Sequence, residues 1–573
     1  MKKNVLSAVA VAAALSAVST TAFAASKFTS ADLVNLASSL HGKTDVTAEQ
    51  DMNGDKIVDV FDLIEMRKAI AQPSGEYTRS AFPISESTVR YIGRNLESGG
   101  VTWLVHSGSA VEFTVKGRSA EIELAGDSST SNGADFRSRY AVLVDGEVIV
   151  DATMAEKSKK IELFSGSTTR TATVKVIHLS EANNGAIGVK SVTVDTDSQT
   201  PIAPTAEKKY RIEFIGDSIT CAYGVEGKNQ YESFKTTTEN FMKSYAYIAA
   251  EKLDADYSAV SYSGHGIISG YTSDGKKNTD SLVPPYYEYV ARGDDYKKKW
   301  DFTAKPNDVV VINLGTNDSS YCGTNKDKMS EYGKAYAEFI KQVRKCNPDA
   351  YIICTLGTMG GTELYPYIEG AVSDYQKASG DKNIMCYQSA VQDMQNDGLG
   401  SDWHPSETTQ KKSAAVLTDK ICQVLGIESD QIGIDVAADA KYDITKNEAS
   451  GANASTYFSD YDKSFWVNVV TGGTKADDIC MDISGIDMKK DGKYRISFKM
   501  TGDKGREIPV SIVSADGKTE LYSTKVSIEG EKTPFSDEFT SAGTDKSARL
   551  IVHMGGKDYS NITLYELHIE KIG

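Results

Sequence analysis

Cysteine is scarce in this 573-residue chain: seven, at positions 221, 322, 346, 354, 386, 422 and 480, too few and odd in number for a disulfide framework. Cys346, Cys354, Cys386 and Cys422 fall on or beside predicted strands and helices, which reads as small buried hydrophobic side chains, and none of the seven shows paired metal-ligand spacing. Long apolar runs are missing after the first twenty residues, so nothing beyond the N-terminus is long enough to span a bilayer. Positive charge is in deficit. The formal net charge of -16 repels nucleic acid and anionic membranes at long range and favours a neutral substrate.

What is present divides into segments. Lys2 and Lys3, an apolar run from Val5 to Val18 and the small residues of Ala22-Phe23-Ala24 form an export signal over residues 1–24, too short for a membrane anchor. The chain is expected to be secreted and extracellular. Its length predicts about three or four domains of roughly 100 to 200 residues.

Residues 25–72 carry DMNGDKIVDVFD, in which Asp51, Asn53, Asp55, Asp59 and Asp62 stand at positions 1, 3, 5, 9 and 12 and the Ile57 carbonyl at 7. Calcium takes six to eight oxygens, and this spacing wraps them around one ion. Asp32-Leu33-Val34 echoes Asp62-Leu63-Ile64 thirty residues later. The segment resembles a dockerin, the calcium-dependent plug that docks enzymes on cohesins of a cellulosome scaffold. Lys56 departs from the glycine usual in such a loop, and a first loop would begin at Thr21, inside the signal, so at most one calcium site is expected.

Residues 77–200 alternate apolar and polar side chains in runs such as Val111 to Val115, Ala120 to Leu124 and Ala172 to Val176, the period of a half-buried antiparallel sheet in a small sandwich. Gln199 to Pro204 reads as a linker. Across 208–428, apolar strands at Ile212 to Ile215, Tyr257 to Tyr262, Val309 to Leu314, Tyr351 to Leu356 and Ile384 to Tyr387 alternate with helical stretches, which implies a parallel sheet covered on both faces. Residues 433–573 return to β patterning, a second independent sandwich.

Four blocks in the α/β stretch carry chemistry: GDSIT from Gly216, SGHG from Ser263, GTND from Gly315 and DWHP from Asp402. Ser218, Gly264 and Asn317 each follow a predicted strand and belong at the carboxyl edge of the sheet, where open α/β folds bind ligands. A serine needs a base to take its proton. The stretch from Lys208 to Ile427 holds two histidines, His265 and His404. His404, in the loop before the last helix, is the expected base, and His265 is expected to line the pocket. The amides of Ser218 and Gly264 and the side chain of Asn317 form an oxyanion hole.

These residues resemble the SGNH (GDSL-type) hydrolases, and the β-sandwich ahead of them, with SYSGHGI, VINLGTND and DWHP, is most similar to carbohydrate esterase family 2, an acetyl xylan esterase-like group. The resemblance implies a flavodoxin-like sheet preceded by a jelly roll, and a serine acyl-enzyme that removes O-acetyl groups from plant-wall xylan or mannan with no cofactor for catalysis. Many such enzymes carry an aspartate three residues before the histidine. Here that place holds Ser401, so either Asp402 or a backbone carbonyl orients His404.

Trp403, Tyr223, Tyr286, Tyr287 and Tyr321 lie in or near the edge loops and are candidates to stack on sugar rings, Trp403 and Tyr223 foremost. In the last segment, Tyr457, Phe458, Tyr461, Phe465 and Trp466 cluster, and YRISFKM with ARLIVHMG resembles carbohydrate-binding modules of the families 4, 9 and 22 type. Two other readings stay open on sequence alone: a lipase or thioesterase using the same site, and a non-catalytic glycan-binding cellulosomal protein.

Overall fold

A computed structural model describes residues 28–43, 45–47, 50–52, 55–71, 77–429, 433–438, 440–459, 463–530 and 532–573. The export signal, Asn53 and Tyr461 lie outside the described residues.

Near the N-terminus two helices, Ser30–Leu40 and Val60–Ala71, pack through Leu33, Leu36 and Met66. The first is opened by Thr29, whose hydroxyl accepts from the Asp32 amide while Asp32 accepts in return from the Thr29 amide, a reciprocal cap that satisfies two otherwise unpaired donors.

The next unit is a ten-stranded antiparallel sheet. Its centre is a pair of very long strands, Ala110–Gly126 and Ser158–His178, with register shifts at Gly117/Ser119 and Ala120/Glu121. Such shifts bend a strand and raise its twist, and the sheet wraps around a core that includes Phe113, Ile122, Tyr140, Val174 and Val192. Two runs read separately from the sequence, Val111 to Val115 and Ala120 to Leu124, are one strand. The expected linker is also structured: Ile202–Pro204 pairs antiparallel with Phe113 to Val115, because an open strand edge was available to it.

The α/β unit has five parallel strands in the spatial order Ala255–Ser261, Tyr210–Gly216, Val309–Asn313, Tyr351–Leu356 and Ile384–Gln388. Order 2-1-3-4-5 reverses direction between the first and third strands in the chain, which opens a crevice at their carboxyl ends. The helix Lys326–Cys346 buries Met329, Tyr332, Tyr336, Phe339, Ile340 and Val343 on one stripe against the sheet, and Glu407–Leu425 covers the opposite face.

These two units share a core. Ile92, Ala141, Leu143 and Ile177 of the antiparallel sheet pack in one cluster with Ile212, Phe214 and Tyr257 of the parallel sheet. Arg94, fully buried, reaches across to Glu213 at 2.7 Å and to the Tyr289 carbonyl at 2.7 Å. Arg90 bridges Glu112 and Asp256, and Arg139 bridges Asp151 and Glu226.

The C-terminal unit is a two-sheet sandwich. In Lys493–Thr501, buried Tyr494, Ile496, Phe498 and Met500 alternate with Arg495, Ser497 and Lys499, and the buried set meets Ile483, Ile512 and Leu550 of the opposing sheet. Five of the seven cysteines are buried and the other two are half-buried.

Candidate active site

Asp217 ends the first parallel strand and caps the four-residue helix Ser218–Cys221, its Oδ1 accepting from the Ile219 amide at 3.0 Å. A side chain at Gly216 would run into Thr220 Oγ1 at 2.0 Å, so only glycine lets the chain turn this tightly and present Ser218 at the sheet edge. Gly264, at φ +77, lies in the left-handed region and turns its loop back beneath the same edge. Among the described residues the amides of Ser218 and Gly264 donate to no protein acceptor. Asn317 stands on the first turn of Thr316–Cys322; its Nδ2 donates to the His265 carbonyl at 2.9 Å and makes a longer contact of 3.3 Å with Asp217 Oδ2.

His404 Nε2 is 2.8 Å from Ser218 Oγ. Its Nδ1 faces two backbone carbonyls, Ser401 at 3.2 Å and Asp402 at 3.0 Å, so the ring carries its proton on Nδ1 and presents a basic Nε2 to the serine. Burial pushes the imidazole down to about 4, against the pull of those two carbonyls.

The loop after Gly264 is held by a buried carboxylate. Asp318 accepts from the amides of Ile267, Ile268 and Ser269 at 2.7–3.0 Å. Burial raises it to about 6 while the three amides oppose that shift. Asp217 is raised to about 7, first by burial and further by the nearby Asp318. From the antiparallel unit, Glu181 accepts from the Ser263 amide at 2.8 Å, so an accessory-domain carboxylate braces the residue before Gly264. Sequence patterning missed Asp318 and Glu181, since their partners are backbone amides that no motif spells.

Three sequence expectations change. The Asp402 carboxylate is not the third member of a triad: its Oδ2 accepts from the Tyr223 hydroxyl and the Phe234 amide, each at 2.9 Å, and only its backbone carbonyl meets His404. His265 does not face the pocket; it is 2% exposed, with Nδ1 on the Ser263 carbonyl and Nε2 accepting from Arg292, and it stiffens the loop. Tyr287 is fully buried with its hydroxyl on Glu213 and forms part of the core. Tyr223 lies beside the base, its ring 4.1 Å from the His404 ring and 4.1 Å from Phe234. Trp403 is half-exposed on the rim and meets the open face of Tyr231 edge-on. Tyr286 and Tyr321 are half-buried, with Arg292 and Lys328 over their rings.

In the N-terminal segment Asp51 accepts from the Lys56 amide at 2.9 Å, and Asp62 accepts from the amides of Met52 and Asp59 at 2.7 and 2.8 Å. Lys56 takes φ +68, the left-handed turn that the usual loop glycine supplies. Among the described residues no group of three acidic, cysteine or histidine side chains is arranged to hold a metal ion.

A nucleophilic serine, a neutral imidazole and convergent amide donors at the switch point of a 2-1-3-4-5 sheet define a serine ester hydrolase of the SGNH class. Residues 214–411 match the GDSL-like lipase/acylhydrolase family, 91–204 the carbohydrate esterase 2 N-terminal family and 444–561 a carbohydrate binding domain family. A solved family two carbohydrate esterase from Clostridium thermocellum, in complex with cellohexaose, is 31% identical and superposes with a TM-score of 0.52 over 59% of this chain and 99% of that one. The chain belongs to carbohydrate esterase family 2. Cellulase/esterase CelE of Acetivibrio thermocellus is 33% identical over 56% of this chain, which spans 37% of that longer relative. An acetylxylan esterase / glucomannan deacetylase of Cellvibrio japonicus is 23% identical over 53% of this chain and 80% of its own length.

Proposed function

We propose that this protein is a secreted esterase that removes O-acetyl groups from plant cell-wall polysaccharides such as acetylated xylan or mannan. The observation that carries the reading is the 2.8 Å contact between Ser218 Oγ and His404 Nε2 beside two uncommitted amides. His404 takes the serine proton as Oγ attacks the acetyl carbonyl; the resulting oxyanion is met by the amides of Ser218 and Gly264 and by Asn317 Nδ2, which exchanges its longer 3.3 Å contact with Asp217 for the oxyanion. The imidazolium returns the proton to the departing sugar hydroxyl, leaving acetyl-Ser218. Water, deprotonated by His404, then attacks acetyl-Ser218, and His404 returns that proton to Ser218 Oγ as acetate leaves.

Trp403 and Tyr231 offer apolar ring faces to a sugar next to the scissile ester. On the C-terminal sandwich, Tyr457 and Trp466 are cross-strand partners, both substantially exposed, and Trp466 meets Tyr565 edge-on; this platform suits a glycan chain and would keep the esterase on its polymer. The N-terminal helices expose Val34, Val60, Phe61 and Ile64, an apolar surface that suits docking on a cohesin, with Asp51, Asn53, Asp55, Asp59, Asp62 and the Ile57 carbonyl as the calcium ligands.

The test is acetate release from acetylated xylan, acetylated glucomannan and long-chain acyl esters, with Ser218→Ala as control. The reading expects release from the polysaccharides and none in the control; preference for long acyl chains would replace it with a lipase. Calorimetric titration with calcium, with and without Asp51→Ala, tests the N-terminal site.

A further inference from the structure

Asp402 and Trp403, directly before the base, both adopt left-handed backbone conformations, at φ +50 and +66. Two successive non-glycine residues in this region are strained, and such a turn persists only where its surroundings hold it. The surroundings here are specific. The Asp402 carboxylate takes two hydrogen bonds through Oδ2, from the Tyr223 hydroxyl and the Phe234 amide, and the Asp402 amide donates to the Glu232 carbonyl at 3.2 Å. Gln392 Nε2 donates to the Trp403 carbonyl at 3.0 Å. The turn so held directs the carbonyls of Ser401 and Asp402 at one atom, His404 Nδ1.

We propose that the Asp402 carboxylate is a positioning residue: it clamps the 402–403 turn to the Tyr223 and Phe234 segment, and so aims the backbone carbonyls that hold the catalytic imidazole. Its charge is not what the base requires. The inference rests on His404 being the base, and it assigns the side chain a task different from that of a triad aspartate. Aspartate and asparagine suit the place because both tolerate left-handed backbone and both offer an acceptor oxygen. The clamp also ties the turn before the base to the rim loop bearing Tyr231 and Phe234.

The test uses the full chain and p-nitrophenyl acetate, comparing Asp402→Asn, Asp402→Ala and Tyr223→Phe for kcat, KM and pH profile. Asp402→Asn, which keeps an acceptor but no charge, is expected to stay within about threefold of wild type in kcat, with an acid limb that moves only slightly and to lower pH, because the carboxylate charge is the smallest of the influences that favour the imidazolium. Asp402→Ala is expected to lose roughly 10- to 100-fold in kcat with KM within about twofold, a split that marks misalignment of the base over lost binding. Tyr223→Phe, which removes one of two donors, is expected to fall between them, and it carries the test where Asp402→Ala does not fold. A loss on the order of 10⁴-fold in Asp402→Asn, the scale of a mis-set tautomer in a true triad, overturns the proposal. So does unchanged kcat in both Asp402→Ala and Tyr223→Phe. A readout independent of turnover is the proton NMR signal of His404 Nδ1–H, expected to persist in Asp402→Asn and to be lost to exchange in Asp402→Ala; persistence in both also overturns the proposal. If wild type turns over no ester while that signal behaves as expected, the esterase reading fails and the clamp stands.

Discussion

Ser218 is 6% exposed and its hydroxyl meets a single base, so one atom on each side controls the reaction. Ser218→Ala is expected to lower acetate release by about 10⁶-fold, close to background, in a kcat assay. Asn317→Ala removes the side-chain donor proposed for the oxyanion and is expected to cost about 10²- to 10³-fold in kcat with little change in KM. The pH dependence follows from His404. Only its neutral form accepts a proton, and burial holds it at about 4, so the base is competent above that pH and protonated below it. A plot of kcat/KM is therefore expected to fall on the acid side near pH 4. An acid limb near the ordinary histidine value would show that burial does not set this group. The places of Ser218, Gly264 and Asn317 were legible in the sequence because each sits in a short block directly after a strand end, and that of His404 because its block directly precedes the last helix. The Asp402 side chain was not, because its orientation depends on a left-handed turn that its neighbours impose.

At the scale of an element, the loop from Ser263 to Ser269 carries the Gly264 amide proposed as an oxyanion donor. Its amides at 267, 268 and 269 converge on Asp318, which lies one residue beyond Asn317 at the start of a short helix. Replacing Asp318 by alanine leaves three buried donors without their acceptor, at roughly 1–3 kcal/mol for each group left unmet. Thermal unfolding is expected to shift down markedly and kcat to drop more than tenfold; a variant with wild-type kcat would show that the loop keeps its shape unaided. Element positions themselves were well read. The five parallel strands fall within two residues of their predicted ends, since continuous apolar runs in a doubly covered sheet leave little freedom. The wrapped antiparallel unit was read less well, because a bulge breaks the two-residue period in the middle of one strand and makes it look like two.

For the whole molecule, the antiparallel unit is joined to the hydrolase unit by a common core and by buried ion pairs. Arg94→Ala strands the Glu213 charge in the interior and is expected to destabilise the protein by about 3–5 kcal/mol, read as a lower denaturant midpoint. The Glu181 contact with Ser263 means that such loosening also reaches the oxyanion loop. The C-terminal sandwich has a core of its own. Trp466→Ala is expected to weaken retention on insoluble acetylated polysaccharide in a pull-down while leaving turnover of p-nitrophenyl acetate unchanged. Among the described residues no helix is long and apolar enough to cross a membrane.

Strand and helix periods, glycine placement and the order of the four blocks were determined by the sequence itself, since each is a local consequence of side-chain size, polarity and backbone freedom. Tertiary structure alone decided what each carboxylate holds: Asp318 and Glu181 backbone amides and Glu213 the Arg94 guanidinium in the interior, and Asp402, at the surface, the Tyr223 hydroxyl and the Phe234 amide. Those partners lie up to 179 positions apart in the chain, and an acidic side chain carries no mark of the distant donor it will meet until burial removes water as the alternative.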